Sequence, residues 1–383
     1  MIGSNETKSN VLASLKLGGL DGSNPAGFLA SLGVLATIFR SAENTNASLS
    51  WQESNGIWNP VIHSKCASIT ELSTRLAEIL RCPFKPDPTA ERLRESRQKL
   101  LDNKRTELKR AIEDQKRKKL RGKERDAERA VYVVPLESEV ATLRSEWLEA
   151  LKACVPSSEL ALGKHLNAEQ LELRDAMQKA IDDSSWNARE TADMLAAFGS
   201  DACLLAKSDR MEPNPLCFVT GSGHQYFLDT VRQLTEQVTA ERIETALSLD
   251  IPATDEKLSM RWDPVEDRRY ALMWSDPTAS DNKSLTNWAI NLLGYHGLQL
   301  LPSAPTGKGL QSTGWTRNAD IEFTWPIWIS RLKLDSVRSI MVQEPGRLKA
   351  LHPEVAAIFQ SIRLQVGNPP LHKINFSPAQ RFG

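Results

Sequence analysis

Between Glu91 and Ala130 the chain reads ERLRESRQKLLDNKRTELKRAIEDQKRKKLRGKERDAERA. No sheet interior accepts such a run, because ionised side chains are almost never fully buried unless paired. It holds no proline, and Gly122 is its one glycine, so the backbone is free to be helical over most of its length. The apolar positions are Leu93, Leu100, Leu101, Leu108, Ile112 and Leu120. They form a thin seam, too sparse for a sustained heptad repeat. A helix or helical hairpin standing outside the main core is therefore expected. Lys and Arg outnumber Asp and Glu here by sixteen to nine. The cations are densest at Lys116, Arg117, Lys118, Lys119 and Arg121, which is enough local charge to steer phosphate. The interleaved acids favour a solvated arm by default, with an arm that docks a protein as the further reading.

This insertion organises the rest of the 383 residues. Pro83, Pro86 and Pro88 mark a sharp change of composition before it. Four regions follow: an α+β region over 1–82, the charged helical insertion over 83–135, a mostly helical region over 136–250, and an α+β region over 251–383. The first opens with a short strand in VLASLKLGGL. The segment SNPAGFLASLGVLATIFR then has an N-cap at Ser23 or Asn24, Pro25 in the first turn and a strongly apolar body, which predicts a buried helix. SLSWQESNGIWNPVIH predicts a hairpin turning at Ser54, Asn55 and Gly56. Strand, helix and hairpin together suit a ferredoxin-like or related α+β start. Further on, Gly294 is expected to end a helix and lead into an extended segment. SAPTGKGLQSTGWTR reads as a flexible loop before a strand, and IEFTWPIW as a strand ending at Pro326. PEVAAIFQ reads as a short helix and the tail from Gly367 as irregular. The fold class expected is α+β, rich in helix.

Formal net charge is zero, so any nucleic-acid role must rest on local patches. Five cysteines without C-x-x-C spacing suggest neither a disulfide framework nor a zinc ribbon, and fit reduced thiols in a cytoplasmic protein. The polar N-terminus lacks a signal-peptide pattern, and the longest apolar run is too short to span a bilayer. The six histidines show no metal-ligand frame. No metal and no other cofactor is expected.

Three places could carry chemistry. RWDPVEDRRYALMWSDP, 261–277, crowds carboxylates and arginines between tryptophans. A metal-dependent hydrolase or nuclease would draw on Asp263, Glu266 or Asp267 there, with His224 as base. The same stretch also reads as a turn followed by a strand, with Arg268 and Arg269 on opposite sides of the strand start. TGSGHQ, 220–225, offers glycines before a helix but lacks a phosphate-loop frame. Lys308 stands between Gly307 and Gly309, with Trp315 and Arg317 downstream. A glycine loop with a cation and an aromatic suits contact with a nucleic-acid strand.

DGSNPAGFLASLGVLATI followed by LSWQ…WNPVI, then RWDPVEDRRYALMWSDP, then GLQSTGW…IEFTWPIW, resemble proteins encoded beside type I-G (formerly I-U) CRISPR systems. The resemblance implies a non-catalytic, large-subunit-like component of an RNA-guided antiviral DNA surveillance complex. Its implied partners are other CRISPR effector subunits, guide RNA, target DNA and a helicase-nuclease, with no membrane involved. In such systems base pairing reads sequence, while protein reads backbone and duplex shape. The residues expected to meet phosphate are Lys116, Arg117, Lys118, Lys119, Lys308 and Arg317, then Arg268 and Arg269. A pure protein–protein scaffold is the third reading.

Overall fold

The computed structural model describes residues 12–163, 166, 168–185, 188–206, 208–217, 226–249, 253–264, 285–317, 321–366 and 373–382. The fold is α+β and rich in helix. The chain forms two compact units, one of residues 1–83 and 164–383, the other of residues 84–163.

The larger unit opens with β1 (Ala13–Lys16), α1 (Pro25–Phe39), β2 (Ser48–Ser54), β3 (Ile57–Ser64) and α2 (Ile69–Leu80). The smaller unit follows as α3 (Pro88–Arg117), α4 (Gly122–Tyr132) and α5 (Val134–Lys152). The larger unit then resumes with α6 (Gln170–Asp182), α7 (Glu190–Phe198), β4 (Gly199–Leu204), β5 (Met211–Pro213), α8 (Phe227–Gln237) and α9 (Ala240–Ser248). Next come β6 (Asp255–Glu256), β7 (Leu285–Thr286), α10 (Trp288–Gly297), β8 (Ser303–Thr306), β9 (Gly309–Ser312), β10 (Trp315–Arg317), β11 (Ile321–Trp328) and β12 (Leu332–Lys333). Helices α11 (Leu334–Met341) and α12 (Pro345–Leu351) precede β13 (Val355–Val366), β14 (Lys373–Phe376) and β15 (Gln380–Arg381).

β3 pairs antiparallel with both β1 and β2. β1 and β2 therefore run parallel with β3 between them, and α1 is the crossover. Asn55 and Gly56 turn β2 into β3 with φ of 54° and 81°, as a two-residue hairpin turn requires. The fourth strand of this sheet is β12, which joins at β2. Among the described residues the outer edge of β1, where a ferredoxin-like motif would place its fourth strand, takes no strand. The second sheet has the order β10-β11-β13-β14, with β15 also on β13.

Helix α1 is apolar all round, and every residue from Pro25 to Ile38 is buried, the state such a pattern demands. One neighbour is α10. A Cβ on Gly33 would lie 1.7 Å from the Leu293 carbonyl oxygen, and one on Gly297 2.2 Å from that of Leu29. The two helices thus meet backbone to backbone. Elsewhere Phe28 of α1 stacks on Trp51 at 5.9 Å and lies 5.8 Å from Trp325 of β11, so both sheets bury rings against this helix. Three of the buried indoles donate to backbone carbonyls. Trp325 donates to the Gly22 carbonyl at 2.8 Å, Trp328 to that of Leu49 at 2.8 Å and Trp262 to that of Leu216 at 3.0 Å.

Several sequence expectations need correction. α10 continues through Gly294 to Gly297, because the missing side chain at Gly294 makes room for the Trp262 ring 2.9 Å from where its Cβ would be. The expected loop over SAPTGKGLQS is the β8–β9 hairpin. β11 does not stop at Pro326 but runs to Trp328. Its pairing with β10 ends at Phe323, so Pro326, which has no N–H, leaves no ladder bond to β10 unmade. VAAIFQ belongs to the long strand β13 rather than a helix, and the tail carries β14 and β15. In β13, pairing partners distant in sequence override weak local preference.

In the smaller unit, Asp87 caps α3 by accepting from the Thr89 and Ala90 amides, with Pro88 in the first turn. α5 returns antiparallel along α3, as the descending pairs Arg97–Glu146 and Lys104–Glu139 show, both at 2.7 Å. Leu101, Val133, Trp147 and Leu151 are buried in this unit. The unit takes in the whole charged run and continues beyond residue 135 to residue 163.

Candidate nucleic-acid interface

The basic cluster lies at the α3–α4 turn of the smaller unit. Lys116 and Arg117 end α3 and Lys118 is its C-cap. Lys119 has φ of 51° and Gly122 of 54°, and these two left-handed residues reverse the chain. α4 then runs back beside α3, with Gln115 Nε2 donating to the Arg125 carbonyl at 3.1 Å. Seven cations and two carboxylates lie between residues 114 and 125. Folding thus gathers at one end what the sequence spreads over three turns of chain.

The cations of this turn are not equivalent. Lys118 is bonded to Glu128 and lies 5.6 Å from the centre of the Tyr132 ring. The Glu128 bond raises the Lys118 ammonium pKa above its ordinary value. Arg117 has Asp114 at 3.5 Å, with both side chains well exposed, a pairing weak enough to exchange for phosphate. Lys116, Lys119, Arg121 and Lys123 are exposed and, among the described residues, have no carboxylate within 4.0 Å. Arg121 and Lys123 complete the basic end. Lys123 was not singled out in the sequence, where Gly122 separates it from the cluster; that glycine, a turn signal inside a helical run, was the available clue.

Lys308 is also exposed at a turn, in the larger unit. It occupies the β8–β9 turn, where the Thr306 hydroxyl donates to the Gly309 carbonyl at 2.8 Å and Gly309 has φ of 107°. Arg317 is the last residue of β10, opposite Ile321 of β11. Arg268 and Arg269 lie outside the described residues, as do Glu266, Asp267 and His224.

Asp263 is described, and its carboxylate accepts from Asn24 Nδ2 at 2.9 Å. The same Asn24 caps α1 through its side-chain oxygen on the Ala26 amide. Asp263 therefore anchors the cap of the buried helix. Among the described residues, no group of three or more His, Cys, Asp and Glu could hold a metal ion, and no helix is long and apolar enough to cross a membrane. The five cysteines are free. Burial pushes the Cys82 thiol up to about 12 and raises that of Cys217 as well.

No family model, no curated protein and no solved structure matches this chain.

Proposed function

We propose that this chain is a nucleic-acid-binding, non-catalytic subunit of an RNA-guided DNA surveillance complex of the CRISPR type I-G kind. In this reading the basic end of the helical arm meets the phosphate backbone. The observation that carries the binding part is the group Lys116, Lys119, Arg121 and Lys123, exposed around one turn without carboxylate partners among the described residues. Cations already neutralised inside a protein release few counterions when phosphate arrives, whereas unpaired ones release about one each. A neutral chain can still bind nucleic acid when its cations are concentrated in this way. The assembly part rests on the resemblance of the DGSNPAGFLASLGVLATI, RWDPVEDRRYALMWSDP and IEFTWPIW segments. Guide RNA, target DNA and the other effector subunits are the partners it proposes, with Lys308, Arg317, Arg268 and Arg269 as further backbone contacts.

The test is a salt titration of oligonucleotide affinity. Reversing Lys116, Lys119, Arg121 and Lys123 to Glu is expected to abolish or strongly weaken binding. Neutralising the same four to Gln should flatten the slope of log affinity against log salt by roughly 3, at about 0.7 per cation on a single strand. An unchanged slope would remove the arm from the interface. Copurification from the native host is expected to bring down a short RNA of uniform length with several other proteins. Recovery of the chain alone would defeat the assembly part.

A further inference from the structure

Helix α4, which leads back from the basic turn, ends in a feature that phosphate contact does not use. Tyr132, the last residue of α4, is 61% exposed. Among the described residues it is the one exposed aromatic side chain. The other described rings are mostly core, as the Phe28, Trp51, Trp325 and Trp328 contacts illustrate. Its exposure follows from the break between α4 and α5. Val133 takes the inward position there, at 1% exposure, while Val131 and Val134 beside Tyr132 stand out at 62% and 46%. An exposed ring flanked by two exposed valines is costly to leave in water and suits a flat apolar partner.

Its surroundings identify that partner. Lys118 Nζ lies 5.6 Å from the ring centre, and Lys118 directly precedes Lys119 of the basic turn. The carboxylate nearest in sequence, Glu128, is bonded to Lys118, and Glu137 is bonded to Arg129 at 2.7 Å. Neither acid is left as a bare negative charge facing an incoming anion. A ring reached by the side chain of Lys118, the residue next to Lys119 of the basic turn, matches a ligand with a phosphate backbone and open aromatic faces. That is single-stranded nucleic acid, whose bases stack on aromatic side chains without regard to sequence. In a duplex those faces are occupied by neighbouring base pairs. We infer that Tyr132 is a base-stacking residue and that the arm takes single-stranded DNA or RNA in preference to duplex. This deepens the backbone-binding reading and rests on it.

The full-length chain is titrated by fluorescence anisotropy against oligothymidylate, oligouridylate and a DNA duplex of equal length, at several salt concentrations. Wild type is expected to bind the single strands more tightly than the duplex. Tyr132→Ala should weaken single-strand binding about 5- to 100-fold, leave the salt slope unchanged and leave duplex binding unchanged. Tyr132→Phe should keep the wild-type affinity, since it keeps the ring. Helix content by circular dichroism should be the same in all three proteins. Equal loss on single strand and duplex would overturn the inference, as would a Tyr132→Ala protein that binds single strands like wild type. If either occurs while Lys116 and its neighbours still set the salt slope, stacking fails and the backbone reading stands. If wild type binds none of the three probes, both fail.

Discussion

The α1–α10 crossing and the α3–α5 pairing are both helix-on-helix contacts, built from opposite chemistries. In the first, Gly33 and Gly297 remove side chains so that backbones touch, and rings close the space around them. In the second, a few buried residues such as Leu101 and Trp147 form a narrow seam, flanked by exposed ion pairs such as Arg97–Glu146. A close-packed contact tolerates almost no added volume. A contact edged with long charged side chains can move them aside. The first kind suits a core and the second an arm that offers its outer surface and its end to something else.

The same substitution separates the two regions most sharply. Gly33→Ala places a methyl group 1.7 Å from a backbone oxygen that cannot rotate away, so the helices must part. Destabilisation of about 3 kcal/mol or more is expected, read as a lower denaturation midpoint. Gly122→Ala adds the same methyl where nothing lies within 4 Å. Its cost is only that of a left-handed backbone, φ 54°, roughly 1 kcal/mol. Equal effects at the two sites would break the contrast.

The larger unit also carries a pH dependence. His63 of β3 is 3% exposed and sits between the Ser14 hydroxyl, 2.8 Å from Nδ1, and the Ser50 hydroxyl, 2.9 Å from Nε2. Burial first, and then the charge of Arg331, lowers its pKa from 6.5 to about 4. The folded chain therefore holds His63 neutral where the unfolded chain would protonate it. This contribution is fully present above pH 6.5 and is lost as the pH falls through about 4. It amounts to roughly 3 kcal/mol. His296 acts in the same direction, since burial and then the charge of Arg40 lower its pKa as well. Melting temperature should fall over that window, and His63→Gln should flatten part of the fall. A pH profile identical to that of wild type would remove His63 as a contributor.

How far the sequence foretold these regions follows from the range of the interactions that decide them. Asn24, Pro25 and the apolar run after them specify α1 locally, and Asn55-Gly56 specifies its hairpin, so both were legible. The charged run announced an arm, because no other structure tolerates it. Gly294 misled because its meaning depends on Trp262, 32 positions earlier. Pro326 misled because only the length of β10 shows that its missing N–H is harmless. The first half of β13 reads as a helix because its partners, β11 and β15, lie outside any local window. At the candidate site, the cluster Lys116–Lys119 was legible as charge density. That Lys118 is bonded to Glu128 while Lys119 is left unpaired was not, because the turn geometry decides it.

The smallest expected effect tests whether ion pairs hold the arm together at all. Arg97 and Glu146 lie 2.7 Å apart with side chains 39% and 41% exposed. Pairs of that exposure contribute less than about 1 kcal/mol, because water and salt screen them. Arg97→Ala should therefore leave the arm folded, with amide exchange in α3 and α5 faster by no more than about fivefold. Raising salt to about 1 M should produce a change of the same order in wild type and little further change in the variant. Trp147→Ala, which empties the seam instead, should expose those amides far more. If Arg97→Ala matched it, charge rather than the buried seam would be holding the arm, and the chemical contrast with the α1–α10 crossing would become one of ion pairs against backbone packing.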